Sequence, residues 1–262
     1  MGTSWSWLRT IDEFSHRRSV RWLSFGGREF LNFLVPTSCA VCSRADFRLC
    51  PECRREIQTQ LFLPPLPDGH HHYVELPLLA NQLSVSSCGI YGKELARAVL
   101  AFKNKQRYFL RGVFAPYLAA VINASCVPQP GQLTTLIVPV PSSLKAVGQR
   151  GYSPVLSILE QGMRSGLYSR QLVCRSVLHY RVRSAFGGAQ KLKSGSARRG
   201  GGEHFIAERA KVPGQPIILI DDVLTTGSTL RHAAMACHKA GYDVTLAVVL
   251  ALTKPPNQEP EQ

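Results

Sequence analysis

The sequence predicts an α/β fold, a parallel sheet flanked by helices, with a small N-terminal module built on four cysteines. Three observations predict it. From residue 83 to residue 250, apolar runs of strand length alternate with stretches of helical period, and such alternation implies a parallel sheet with helices on its faces. Residues 217–220 are continuously apolar, as a strand buried on both faces must be, and they end at two adjacent aspartates, Asp221 and Asp222. Four of the eight cysteines are packed between Cys39 and Cys53.

The chain of 262 residues is long enough for one sizeable core and an accessory module. Apolar residues make up 45%, but no window offers the roughly 20 uninterrupted apolar residues of a membrane span. Arg17, Arg18, Arg21 and Arg28 break up the N-terminal apolar residues, which excludes a signal peptide of the usual pattern. A soluble, cytoplasmic protein is expected.

In chain order, residues 1–35 form a tail and then an amphipathic helix carrying Trp22, Phe25, Phe30, Phe33 and Leu34, stopped by Pro36. Residues 36–60 hold the cysteines. Residues 61–82, proline-rich and containing His70, His71 and His72, read as a linker. A strand over 83–91 leads to a helix over 92–105 with Leu95, Val99 and Phe102 on one face. Further helices are expected over 110–123 and 154–163, and strands over 133–140 and 172–178. Residues 190–203 carry almost nothing apolar and end in Gly200, Gly201 and Gly202; they predict a mobile loop. Then come a strand over 217–221, a helix over 228–241 and a strand over 244–250. This larger domain spans 83–254, and 255–262 form a polar tail.

Cys39-x2-Cys42 and Cys50-x2-Cys53 are two knuckle-like pairs. Four thiolates at that spacing can close a tetrahedron around Zn²⁺ and leave no open position, which makes the site structural. It would staple a segment too short for its own core. A redox pair should sit at a helix start after a strand, which residues 36–38 do not suggest. The three histidines are not needed as ligands.

Beyond Asp222 the chain reads Val223, Leu224, then Thr225, Thr226, Gly227, Ser228 and Thr229. Ligands of open α/β sheets bind at the carboxyl ends of the strands, where these residues fall. Gly227 allows a tight turn with its amides facing inward. The following helix adds unpaired N–H donors and a positive dipole end, a seat for a phosphate. The hydroxyls of Thr225, Thr226, Ser228 and Thr229 add donors. The aspartates would repel phosphate and suit vicinal sugar hydroxyls instead, directly or through Mg²⁺.

The 217–229 segment resembles the phosphoribosyl-pyrophosphate motif of type I phosphoribosyltransferases. The resemblance implies a five-stranded parallel core with a mobile hood, ribose hydroxyls on Asp221 and Asp222, and the 5′-phosphate wrapped by 225–229. Cysteine module first and this domain second is the layout of the ComF family, which includes competence-associated and GntX-like proteins. Tyr91-Gly92 with Leu95, Val99 and Phe102-Lys103 is similar to that family, as are Val138-Pro139-Val140-Pro141 and Arg150-Gly151-Tyr152. Ser153 and Pro154 stand where the family usually has Asn-Gln, and Gly200, Gly201 and Gly202 replace its usual asparagine.

If the chain is an enzyme, displacing diphosphate from the ribose requires Mg²⁺ and basic donors at the leaving group. Candidates are Ser142, Ser143, Lys145 and Arg150, with Lys191, Lys193, Arg198 and Arg199 on a closing loop. Lys103, by resemblance, faces the same site; as a plain helix lysine it would be solvated. Between Lys145 and Lys211 stand thirteen Lys or Arg against three Glu and no Asp. Such a stretch attracts polyanions. Two readings therefore stay open: a Mg²⁺-dependent phosphoribosyltransferase, and a non-catalytic factor binding a phosphoribosyl ligand or single-stranded DNA and working with DNA-uptake proteins.

Overall fold

The computed structural model describes residues 38–61, 73–78, 82–126, 134–180 and 205–253, with the backbone alone at 73–77, 144 and 145. The expected N-terminal helix, the three histidines, the 190–203 loop with Arg198 and Arg199, and the tail lie outside them. The chain divides into two compact units, Met1–Glu56 and Ile57–Gln262.

In the first unit, two tight turns carry the cysteines. Cys39 N–H donates to the Arg44 carbonyl at 2.8 Å and Ala40 N–H to the Arg48 carbonyl at 3.0 Å. Ser43 and Asp46 take left-handed backbone angles, φ 63° and 66°, which polar residues adopt at modest cost in turns. Helix α1 (Pro51–Gln60), whose residues from Ile57 on belong to the second unit, starts with Pro51 in its first turn, where the missing N–H costs nothing.

The second unit is built on a six-stranded sheet of order β1-β2-β8-β7-β3-β4. Its strands are β1 (Tyr73–Pro77), β2 (Gln82–Ser87), β3 (Thr135–Pro139), β4 (Leu172–Cys174), β7 (Gln215–Leu224) and β8 (Tyr242–Leu252). Five of them run parallel, and β1 pairs antiparallel with β2 at the edge. A two-stranded antiparallel sheet pairs β5 (Leu178–Tyr180) with β6 (Phe205–Ala207). The helices are α2 (Lys93–Asn104), α3 (Arg111–Ser125), α4 (Leu144–Arg150), α5 (Pro154–Arg164) and α6 (Ser228–Lys239). The parallel sheet flanked by helices is the architecture expected from the sequence.

Strand β7 lies at the centre because its apolar run can be buried on both faces. Ile217 and Leu219 pack in one cluster with Leu230, Ala233, Ala234 and Cys237 of α6. The intervening Ile218 and Ile220 project to the other face and are equally buried. One extra residue on β8 sits opposite the Ile217/Ile218 step. That residue, Thr245, donates its hydroxyl to the Ile217 carbonyl at 3.1 Å and so gives this acceptor a partner at the bulge.

Three expectations are corrected. Residues 73–77, inside the stretch read as a linker, form β1; a strand ending in proline is tolerated at a sheet edge. The single strand over 172–178 is two. The last bond to the main sheet comes from Arg175 N–H to the Ile137 carbonyl, and Val177 and Leu178 then turn into the α6 cluster. Lys145, expected with Ser142 and Ser143 on the turn after Val140, belongs instead to helix α4, which is capped by the Ser143 hydroxyl accepting from Ala146 N–H at 3.3 Å.

Phe114 of α3 is fully buried and meets Phe102 of α2 edge to face, ring centroids 5.8 Å apart. Phe114→Ala is expected to lower unfolding free energy by about 3–5 kcal/mol. Urea denaturation with an unchanged slope reads this directly, and a loss below about 1 kcal/mol would contradict the packing described.

Candidate functional site

A cavity of about 530 Å³ opens where β7 and β3 end. Asp221, Asp222, Thr225, Ser228 and Thr229 line one side, and Ser142, Ser143 and Arg150 another. These residues come from two separate parts of the sequence. The fold joins them because β3 and β7 are parallel neighbours, so both strands release their following loops at the same edge.

Residues 225–227 form a tight turn that runs into α6. Gly227 has φ 72°, a left-handed angle that a side chain would strain, and it is the N-cap of α6. Having no side chain, it leaves the first-turn amides of α6 without a side-chain cap from that position. Thr226 turns its hydroxyl inward along the loop, within 3.5 Å of Ser228 N–H. Thr226 is the one loop hydroxyl that does not line the cavity.

The carboxylates are held differently from each other. Asp222 N–H donates to Asp221 Oδ1 at 2.8 Å. Asp222 Oδ2 lies 2.8 Å from the Lys103 ammonium. Lys103 is therefore not a solvated helix lysine: it stands in the cavity wall. Loss of water around Asp221, and then the charge of Asp222, push its carboxyl up to about 7, against the Asp222 amide and Lys103, which pull it down.

Further lining residues, Tyr180, Phe205, His232 and Val223 among them, had no place in the sequence-based site. Tyr180 and Phe205 meet edge to face at 5.3 Å, brought together by the β5–β6 pairing. His232 lines the cavity one helical turn beyond Ser228, its Nδ1 3.5 Å from the Ser228 hydroxyl; the i, i+4 spacing on a helix starting at Ser228 was the available signal. Val223 completes the wall between the aspartates and the loop. Outside the lining, Arg231 donates to the Thr226 carbonyl at 3.2 Å and braces the loop from behind. The side chain of Lys145 lies outside the described residues.

Arg150 is presented by its own local structure. Gly151, at φ 75°, ends α4 in a left-handed cap, and the Tyr108 hydroxyl donates to the Arg150 carbonyl at 3.3 Å. Tyr152 donates its hydroxyl to the Phe102 carbonyl and stacks edge-on against Phe102 and Tyr108. The Arg150-Gly151-Tyr152 sequence thus ties α4 to the end of α2 that carries Lys103.

In the first unit, the sulfurs of Cys39, Cys42, Cys50 and Cys53 all lie within 4.8 Å of one another. Tetrahedral coordination with metal–sulfur bonds of ~2.3 Å has sulfur–sulfur edges of about 3.8 Å. Cys39 and Cys50 are 3.8 Å apart, and Cys42 and Cys50 3.7 Å. All four are free thiols. Burial pushes the Cys39 thiol up, but amides of Cys42, Cys50 and Val41 outweigh it and bring it down to about 6, whereas burial and the neighbouring cysteines push the Cys53 thiol up. A thiolate is the form a metal requires. Cys50 and Cys53 do stand at a helix start, that of α1, yet no strand leads into it among the described residues. The donor set fits a closed zinc site.

Two predictions follow from this geometry. Asp221 has a folded pKa above its unfolded one, so between about pH 4 and pH 7 the folded chain keeps a proton that the unfolded chain has lost. Stability contributed by this group should therefore fall as pH rises through that window. Asp221→Asn should flatten the slope and melt higher than wild type at pH 8; an unchanged slope would refute the raised carboxyl. Purified protein should carry about one zinc per chain, and Cys39→Ser should release it. Less than half an equivalent, unaffected by that substitution, would remove the metal from the account.

No model of a known protein family matches the chain. An orotate phosphoribosyltransferase of Pyrobaculum calidifontis is 33% identical over 99 residues, which cover 38% of this chain and 49% of that protein. The chain thus spans about half the length of that curated relative. Among solved structures, an adenine phosphoribosyltransferase from Thermoanaerobacter pseudethanolicus matches 76% of this chain and 98% of its own, at 12% identity and TM-score 0.32. The allosteric regulatory enzyme of purine biosynthesis matches over 59% and 27%, at 18% identity and TM-score 0.30.

Proposed function

We propose that the chain is a phosphoribosyltransferase that binds phosphoribosyl pyrophosphate and transfers its phosphoribosyl group to a base or amine. One observation carries this reading. A carboxylate pair suited to sugar hydroxyls and a hydroxyl-rich loop at a helix N-terminus share one cavity with Lys103 and Arg150. The partial identity to an orotate phosphoribosyltransferase supports the same class.

The residues divide the ligand between them. The amides of 225–229 and the hydroxyls of Thr225, Ser228 and Thr229 take the 5′-phosphate, helped by the α6 dipole. Asp221 and Asp222 accept from the ribose hydroxyls. Ser142, Ser143 and Arg150, which line the cavity, take the diphosphate, with Lys145, Arg198 and Arg199 as further candidates. The bond from C1 to the diphosphate oxygen breaks and leaves its electron pair on the diphosphate. A nitrogen lone pair of the acceptor forms the new bond at C1, and its proton passes to solvent. Mg²⁺ would lower the charge of the departing diphosphate. Asp221 and Asp222 are the sole carboxylates in the described lining, and Asp222 is already paired with Lys103, so the ion fits the diphosphate better than the aspartates.

The cysteine cluster is proposed to hold structural zinc, and cytoplasmic residence would keep its thiols reduced. The two-part layout and the motifs shared with the ComF family support a role near DNA uptake. A second reading, a non-catalytic factor that binds single-stranded DNA, is favoured by the exposed Arg170, Arg175, Arg209 and Lys211. No described helix is long and apolar enough to cross a membrane.

Calorimetry with phosphoribosyl pyrophosphate and Mg²⁺ should show saturable binding that an Asp221→Asn/Asp222→Asn variant weakens by about tenfold or more. A screen of bases and amines should then find one that triggers diphosphate release. Binding unaltered in the double variant would sink the ribose assignment. Ligand binding with salt-sensitive DNA binding, and no release with any acceptor, would decide for the second reading.

A further inference from the structure

We propose that Lys103 is the resident counter-ion of the carboxylate pair, so that the aspartates bind a sugar directly and no divalent cation bridges ribose to protein. This deepens the phosphoribosyl reading of the cavity and rests on it.

The ion pair is the starting observation. Lys103 Nζ and Asp222 Oδ2 are 2.8 Å apart, and the two side chains are only 24% and 16% exposed. A pair so far withdrawn from water is screened much less than a surface pair, and taking away one partner strands the other charge. Neither end is free to drift. Lys103 follows the fully buried Phe102 in the last turn of α2. Phe102 is wedged between the rings of Phe114 at 5.8 Å and Tyr152 at 5.6 Å, and its carbonyl accepts from the Tyr152 hydroxyl.

The carboxylates themselves are poorly arranged for a cation. They are consecutive residues within β7, and both line the cavity with one of them already engaged by the Lys103 ammonium. One Asp221 oxygen already accepts the Asp222 amide. A small divalent ion demands near-octahedral oxygens and gives up its water reluctantly, and here it would have to displace an ammonium first. A ribose diol needs no such displacement. The ammonium has three protons and Asp222 occupies one direction. The others can reach the oxygen of a hydroxyl whose proton goes to Asp222. Lys103 would then be a positioning residue for Asp222 and a direct ligand of the sugar.

The test uses the full chain and ribose 5-phosphate, which lacks the diphosphate that would carry its own metal. Wild-type affinity should agree within about twofold between EDTA and millimolar MgCl2. Lys103→Met should lose about tenfold or more in EDTA and regain part of it with MgCl2, while Lys103→Arg stays near wild type. Wild-type binding that collapses in EDTA would overturn the proposal, as would a Lys103→Met variant that binds like wild type in both buffers. A merely structural lysine would lower the melting temperature and affect both buffers equally. Should Lys103→Met fail to fold, the wild-type comparison decides alone. Ribose 5-phosphate failing to bind wild type in either buffer would sink the site reading itself, a result distinct from metal-dependent binding.

Discussion

The site depends on the ion pair between Lys103 and Asp222, and much of the second unit serves to hold it. Burying the apolar run of β7 contributes roughly 1.5–3 kcal/mol per side chain, and taking a carboxylate out of water costs several kcal/mol. The two are of the same order, so a buried strand that ends in two aspartates needs compensation close by. Lys103 supplies it from another element. The helix bearing Lys103 is fixed at its start by Gln60, whose side-chain carbonyl accepts from Leu95 N–H and whose amide donates to Glu94, both at 2.9 Å. At its end it is fixed by Phe102 and Tyr152. A Cβ at position 89 would meet the Gln60 carbonyl at 2.3 Å, so only glycine lets the chain after β2 pass beneath it.

The same cavity carries the opposite charge preference a short way along. After Asp222 the chain passes from carboxylates to amides and hydroxyls, and the α6 N-terminus adds its dipole. Arg231 sits behind the loop instead of in the cavity, so its charge supports the turn while leaving room in front. A ligand with hydroxyls at one end and phosphate at the other matches this gradient. A simple anion or a simple sugar would use only half of it.

Local chemistry made part of this legible in the sequence. Ile217, Ile218, Leu219 and Ile220 could be read as a central strand because a continuous apolar run needs cover on both faces. Gly227 could be read as the tight turn that starts a helix, because only a residue without a side chain takes its left-handed angle at no cost. The cysteine pairs were legible from spacing, and their sulfur separations agree. What was missed depends on distant partners. Strand β1 sits in a proline-rich stretch whose pairing with β2 no local pattern shows. Residues 172–178 carry one strand-like run, yet the chain changes sheets at Arg175 because Val177 and Leu178 find cover under α6. Tyr180 and Phe205 looked scattered until the β5–β6 pairing joined them. Lys103 could not be told from a solvated helix lysine, since its partner comes from β7.

The most direct measurement is a crystal structure of the full chain with phosphoribosyl pyrophosphate bound. The account predicts the 5′-phosphate on the amides of 225–229, the ribose hydroxyls within hydrogen-bond reach of Asp221 and Asp222, and Lys103 still beside Asp222. A ligand bound away from this cavity, or one seated with its phosphate against the aspartates, would contradict it.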